Sequence, residues 1–209
     1  WLEGAGGNTT VAVGRGGAIV VDSQFEPMYP KIRAAIASLS AKPARYVVNT
    51  HYHGDHTSGN AAFARDGATI VAHDKTREHL ASAANAAGVP STSFADAMTL
   101  AVGELKAELL HPVDAHTDGD TIVYFRAANV LATGDIVNSA AYPNIDVDAG
   151  GNIDGMIRAV DRMLSMVNDA TRIVPGHGAV TNRAGMIEYR AMLIAARERI
   201  AREILAGRT

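Results

Sequence analysis

Residues 49–56 read Asn-Thr-His-Tyr-His-Gly-Asp-His, which places four potential metal ligands, His51, His53, Asp55 and His56, in six positions. In extended backbone the side chains of His51 and His53 lie on the same side, so the two can hold one ion together. Gly54 lets the chain turn sharply, and beyond the turn Asp55 and His56 can face a second ion. Imidazole and carboxylate donors without sulfur suit zinc, and also iron or manganese. A catalytic centre of this kind keeps a position open for water. His73, His79 and His111 stand apart from the cluster and are read as surface or packing residues.

The other ligands of such a centre should also sit at strand ends, and three candidates do. His116 lies in His-Thr-Asp-Gly-Asp just before an apolar run at 121–125, Asp135 follows Thr133-Gly134 at the end of a run at 129–133, and His177 follows the run 172–174 in Pro-Gly-His-Gly. This assigns His51, His53 and His116 to one ion and Asp55, His56 and His177 to the other, with Asp135 between them.

The elements that must position these residues are legible from periodicity and breakers. Short β-branched runs predict strands at 9–13, 18–22, 45–50, 68–72, 105–110, 121–125, 129–133 and 172–174. Gly14-Arg15-Gly16-Gly17 marks a hairpin between the first two. Helices are expected over 30–39, with Ile32, Ala35, Ile36 and Leu39 on one face, around 61–65, and over 74–87. A further helix begins at the cap residue Asn152, and the last spans 184–205 with Met186, Ile187, Met192, Leu193, Ile200 and Ile204 apolar. Residues 138–151 are an Asn-, Asp- and Gly-rich loop. The glycine-rich stretch 3–8 reads as a mobile flap; no helix and no Lys-Ser/Thr follow it, so it is not a phosphate loop. Residues 91–104 read as a polar linker. Each half runs strands first and helices after, so the expected architecture is α/β, a four-layer αββα sandwich. One domain covers 1–209, in two pseudo-symmetric halves with the seam at about 91–104.

Bulk properties bound the function classes. The chain has 209 residues, 47% hydrophobic and 20% charged, with a net charge of −3. There is no basic cluster for nucleic acid and no apolar run long enough to cross a bilayer. No cysteine is present, which removes disulfides and thiolate chemistry. A small-molecule substrate and a monomeric state are expected. A periplasmic or secreted location is the first expectation and a cytoplasmic one the alternative.

The series His51-x-His53-x-Asp55-His56, His116, Asp135 and His177 resembles the metal-binding motifs of the metallo-β-lactamase superfamily, in order and over nearly the whole chain. Val21-Asp22 is similar to that family's early strand-end Asp, which braces the metal loops. The resemblance implies the αββα fold and two zinc ions that share a water and lower its pKa toward about 7. One ion would polarise a carbonyl and the other stabilise the leaving group. Asp55 and Asp135 would be the catalytic carboxylates, Asp55 orienting the nucleophile, while Asp22 and Thr50 hold ligands in place.

For the substrate, the resemblance divides. The commonest zinc β-lactamases carry Cys where Asp135 stands and a substrate-gripping Lys where this chain has Asn138. Asp at that position resembles glyoxalase II and lactonases, and glyoxalase II adds a helical substrate domain not expected here. The segment from Tyr142-Pro143-Asn144 to Asn152 resembles a lactamase-like branch of periplasmic hydrolases, which makes Asn138, Tyr142 and Asn144 candidate substrate contacts. The expected activity is β-lactamase-like hydrolysis. Lactone, ester or thioester hydrolysis is the alternative, followed by an iron-dependent sulfur dioxygenase and a non-catalytic metal-binding module.

Overall fold

The computed structural model describes residues 1–82 and 88–208. Strands β1 (Leu2–Gly4), β2 (Gly7–Gly14), β3 (Gly17–Val21), β4 (Ala44–Val48), β5 (Thr69–His73) and β6 (Thr92–Phe94) form one sheet in that order. The first three are antiparallel, and β3 to β6 run parallel. Strands β7 (Ala97–Val102), β8 (Leu105–Leu110), β9 (Ile122–Phe125), β10 (Val130–Ala132) and β11 (Arg172–Val174) form the second sheet, in the order β11-β10-β9-β8-β7. Only its β10–β11 pair is parallel.

Strand alternation sorts the apolar side chains into three layers. Ile19, Val21, Val48, Val71, Leu109, Val123 and Phe125 meet between the sheets. Their neighbours Val20, Val47 and Ile70 point the other way, onto Ile32 and Ile36 of α1 (Tyr29–Leu39) and Phe63 of α3 (Asn60–Arg65). On the second sheet Ile122, Tyr124, Leu131 and Ile173 pack beneath Met156, Val160 and Met163 of α5 (Ile153–Met166) and Met186 and Leu193 of α6 (Arg183–Leu205). The result is the expected αββα sandwich. Strands buried on both faces read as continuous apolar runs, which is why β3 to β5 were visible in the sequence.

Several expectations are corrected. Residues 91–104 are not a polar linker. They form β6 and β7, and the chain crosses from one sheet to the other at Ala95-Asp96. In β7 only alternate residues, Leu100 and Val102, are buried, so a half-solvated edge strand looked polar. The stretch 3–8 is no flap: Gly4 pairs with Gly7 in the β1–β2 hairpin. Leu39 ends α1 in solvent, 62% exposed. Ile187, Ile200 and Ile204 are exposed too. Arg190 and Arg197 of α6 bond Asp161 and Asp154 of α5, so the helices run antiparallel. Beyond Arg197, α6 has passed the start of α5 and lost its partner. The helix expected over 74–87 is described as α4 (Asp74–Ser82), and 83–87 lie outside the described residues. The single-turn helix α2 (Gly54–Thr57) had no sequence signal of its own.

Candidate metal centre

The loops that follow β3, β4, β10 and β11, and the one that enters β9, all leave the same edge of the sandwich. After β4, the Asn49 amide donates to the carbonyl of Val71, and its side chain bonds the carbonyl of His56 and the amide of Asn60. Asn60 in turn reaches Ser23. Asn49, His51, His56 and Asn60 are all fully buried, so the loop is an interior object that must satisfy its own polar groups. Helix α2, opened at Gly54, turns Asp55 and His56 back toward His51.

Two groups of ligand atoms result. His51 Nε2 lies 3.0 Å from His53 Nδ1, and His116 Nε2 lies 3.2 Å from the same atom. Across the centre His177 Nε2 stands 3.3 Å from both Asp55 Oδ2 and Asp135 Oδ2, and His56 Nε2 stands 3.5 Å from Asp55 Oδ2. Asp135 joins the two, 3.2 Å from His56 Nε2 through Oδ1 and 3.9 Å from His116 Nε2 through Oδ2. His51, His53 and His116 form one potential ion-holding triad; Asp55, His56 and His177 form another; His51, His56 and Asp135 overlap both. The seven side chains expected from the sequence are therefore brought together, in the expected division.

Each imidazole is oriented through its other nitrogen. Asp22 sits just past β3 with φ 66°, 2% exposed. Its Oδ1 accepts from the Thr50 amide, and its Oδ2 accepts from Thr50 Oγ1 and His56 Nδ1, all at 2.8 Å. Thr50 Oγ1 then meets His51 Nδ1 at 3.1 Å. His116 Nδ1 donates to the carbonyl of Asn144 at 2.7 Å. His53 presents Nδ1 to the centre because its Nε2 bonds Asp146 at 2.8 Å, an acid that also takes the Tyr52 hydroxyl. Gly176 permits the tight approach of the His177 loop: a Cβ there would lie 1.9 Å from Asp135 Oδ1. Asn8 clamps that loop, donating to the carbonyls of Pro175 and Gly178.

The electrostatics separate the groups. Burial, with His56 adding to it, pushes His51 well below the usual imidazole range, and burial lowers His116, so both are neutral with lone pairs free. Burial opposes a proton on His56, but Asp22, Asp135 and Asp55 together raise it well above that range. Hydrogen bonds to Asp135 and Asp55 raise His177 to about 9. Asp55 and Asp135, which burial alone would raise, are held far below the usual carboxylate range by His177 and His56. Two ionised carboxylates in an interior pocket call for cations. His56 Nε2 and Asp135 Oδ1 are moreover buried 3.2 Å apart, an ion-pair contact without good hydrogen-bond geometry. Buried polar atoms so poorly paired demand an explanation in a native interior, and a bound ion would supply one. The donor set could hold metal.

The three candidate substrate contacts lie on the loop after β10. Asn138 turns its Oδ1 onto the amides of Ala140 and Ala141, so that oxygen serves its own loop. Asn144 contributes its carbonyl, to His116, and its side chain is exposed. Tyr142 is 78% exposed on the same loop. Sequence reasoning missed Asp146 and Asp120. Asp120 accepts from the amides of His116 and Thr117 and from Thr117 Oγ1, while burial pushes it up to about 7. The repeated Asp of His116-Thr-Asp-Gly-Asp120 was the available signal. His73 stacks on His111 with ring centroids 3.7 Å apart, and His79 stacks on Tyr52 and bonds Asp118. All three are packing residues, as expected.

The model of the metallo-β-lactamase superfamily matches residues 2–177. The chain belongs to the metallo-β-lactamase superfamily. Among solved members, the DIM-1 metallo-β-lactamase superposes with TM-score 0.78 at 21% identity, covering 91% of this chain and 87% of that one. A metallo-β-lactamase from Pontibacter korlensis gives 0.77 at 24%, covering 88% and 85%. Among curated superfamily relatives, a 2,4-dinitroanisole O-demethylase subunit alpha from Nocardioides sp. is 30% identical over 71% of this chain and 47% of its own length. The type 2 metallo-β-lactamase of Bacillus cereus is 24% identical over 80% and 65%. A hydroxyacylglutathione hydrolase of Anaeromyxobacter dehalogenans is 30% identical over 93% and 71%. The chain thus spans between about half and two thirds of the length of the first two.

Proposed function

We propose that the protein is a binuclear zinc hydrolase that opens an activated acyl bond, with β-lactam rings as its first substrate class. The observation that carries the reading is the convergence of seven candidate ligands into two groups linked by Asp135, with His56 Nε2 and Asp135 Oδ1 buried in contact between them. Metal ions held there supply Lewis acidity and a water acidified toward neutral pH. The chain's own groups do the rest. Asp22 and Asp146 hold imidazole tautomers with a lone pair inward. Asp55, 27% exposed, is the ionised carboxylate that can orient a water. No Cys exists to form a covalent intermediate, so direct attack by water is the favoured course. The likeness to two β-lactamase structures and to the Bacillus cereus enzyme supports the β-lactam class.

A second reading, hydrolysis of a lactone, ester or thioester, is favoured by one feature. Asp135 is a carboxylate, and the nearby Asn138 offers no cation to a substrate carboxylate. The hydroxyacylglutathione hydrolase relative belongs with this reading. Two measurements decide. Metal analysis should find two zinc per chain, whereas one iron would favour oxygen chemistry. A panel of penicillins, cephalosporins and carbapenems beside thioesters and lactones should show β-lactam turnover; none at high enzyme concentration removes the first reading.

A further inference from the structure

The loops that build the metal centre share a property beyond their ligands. None of the chain's 19 Lys and Arg residues falls within residues 1–14, 22–30, 49–64, 111–125, 127–157 or 173–182. These stretches hold every ligand and every residue that braces one. Carboxylates stand beside the ligands instead. Asp146 bonds His53 and Tyr52, and Asp118 bonds His79, which stacks on Tyr52. The Asp118 amide donates to the carbonyl of Ala149 at 2.7 Å, which packs Asp118 against the loop that carries Asp146 and the exposed Asp148. Large apolar groups are also exposed on these loops: Tyr142 and Val147 are 78% and 73% exposed. Phe25 is 41% exposed, and a Cβ on Gly6 would touch both Phe25 and Asp55. A cleft of about 470 Å³ beside the histidine loop is lined by Tyr52, Thr57, Ser58, His79 and Leu80, with no Asp, Glu, Lys or Arg among its lining residues. Arg33, Lys42 and Arg65 line a larger cleft between α1 and α3, at the other end of the strands.

We propose that this site selects apolar acyl substrates that are uncharged or cationic and discriminates against those bearing a carboxylate. The inference rests on the hydrolase reading above and, since penicillins, cephalosporins and carbapenems all carry a carboxylate, weights it toward the lactone, ester or thioester reading. Charge on bound metal ions is directed at the reacting carbonyl and is partly neutralised by Asp55 and Asp135. The rim acts on the rest of the substrate, where Asp146 and Asp148 repel an anion; Lys75 stands near enough to Asp118 to offset its charge in part. Rim charge of one sign changes encounter rates by about 10-fold or more at low salt and is screened as salt rises. A penicillin would therefore be handicapped by its own carboxylate.

The test uses the zinc-loaded chain at low ionic strength with three nitrophenyl esters of matched length: p-nitrophenyl butyrate, mono-p-nitrophenyl glutarate and p-nitrophenyl 4-(trimethylammonio)butyrate. Benzylpenicillin and its methyl ester form a second pair. After correction for hydroxide-catalysed rates, kcat/KM for the neutral and cationic esters should exceed that for the glutarate by about tenfold. The gap should shrink at about 0.5 M salt and in Asp148→Lys. An anionic ester that reacts as fast as the neutral one, or a gap indifferent to salt and to Asp148→Lys, overturns the proposal. Binding of the three corresponding amides by chemical-shift titration gives a readout free of turnover. If no ester or penicillin reacts, the hydrolase reading falls, and the titration still decides the charge preference: tighter binding of the anionic amide overturns it.

Discussion

Asp22→Asn is the sharpest test of how the centre is held. The carboxylate takes three hydrogen bonds at 2.8 Å, from the Thr50 amide, Thr50 Oγ1 and His56 Nδ1. Asn keeps the volume, tolerates the left-handed φ of 66°, and its oxygen can still accept from the Thr50 amide. Its NH₂ group, however, replaces the oxygen that faces His56 Nδ1 and Thr50 Oγ1. His56 must then accept at Nδ1 and carry its proton on Nε2, the atom aimed at the centre. Thr50, no longer donating to Asp22, is free to donate to His51 Nδ1 and move that tautomer as well. The lost charge-assisted bond is worth about 1.5–3 kcal/mol, and tautomer misplacement acts on metal affinity rather than on packing. Zinc affinity should fall about 10- to 100-fold, read by competition with a chelator. The melting temperature of the metal-free protein should fall by about 2–4 °C per kcal/mol lost, a smaller effect than the loss of zinc affinity. Long-range ¹⁵N spectra of the imidazoles should show His56 moving to the Nε2-protonated form. Wild-type zinc affinity, with His56 still protonated at Nδ1, would refute the bracing argument.

Other outcomes follow from the same geometry. His177 carries a proton up to about pH 9 in the metal-free site, and zinc must displace it. His56, also raised well above the usual imidazole range, must give up its proton too, so zinc affinity should rise by at least about tenfold per pH unit as pH climbs toward 9. The sign for the metal-free protein is opposite: the folded pKa of His177 lies above the unfolded 6.5, so this group's stabilisation is complete below about pH 6.5 and is lost as pH climbs through 9. Urea titrations of the chelator-treated protein at several pH values check this. Asp135→Cys should keep the fold, because six other ligands and the packing of both sheets remain; loss of all metal together with unfolding would contradict it. Gly176→Ala drives a Cβ to 1.9 Å from Asp135 Oδ1, so it should lose metal from the shared position and activity with it, while circular dichroism stays native.

The sequence by itself determined the layers and the candidate ligands. Runs such as Ala18–Val21 and Val47-Val48 are buried on both faces, and that condition leaves an unbroken apolar signature at any position in the fold. The ligands were legible because His51 to His56 are dense in sequence and the other three follow apolar runs, and a strand end is a local property. Edge strands β6 and β7 were not, since one wet face makes a strand look like a loop. The exposed end of α6 was misread because helix periodicity does not say where a neighbouring helix stops. What only the tertiary structure decided is how each ligand is oriented. Asp22 reaches His56 across 34 residues, and Asp146 reaches His53 across 93. Sheet register and the return of the loop after β10 create both contacts, and no local pattern encodes them. For the same reason the sequence marked His53 as a ligand but could not say which of its nitrogens faces the centre; Asp146, by occupying Nε2, leaves Nδ1.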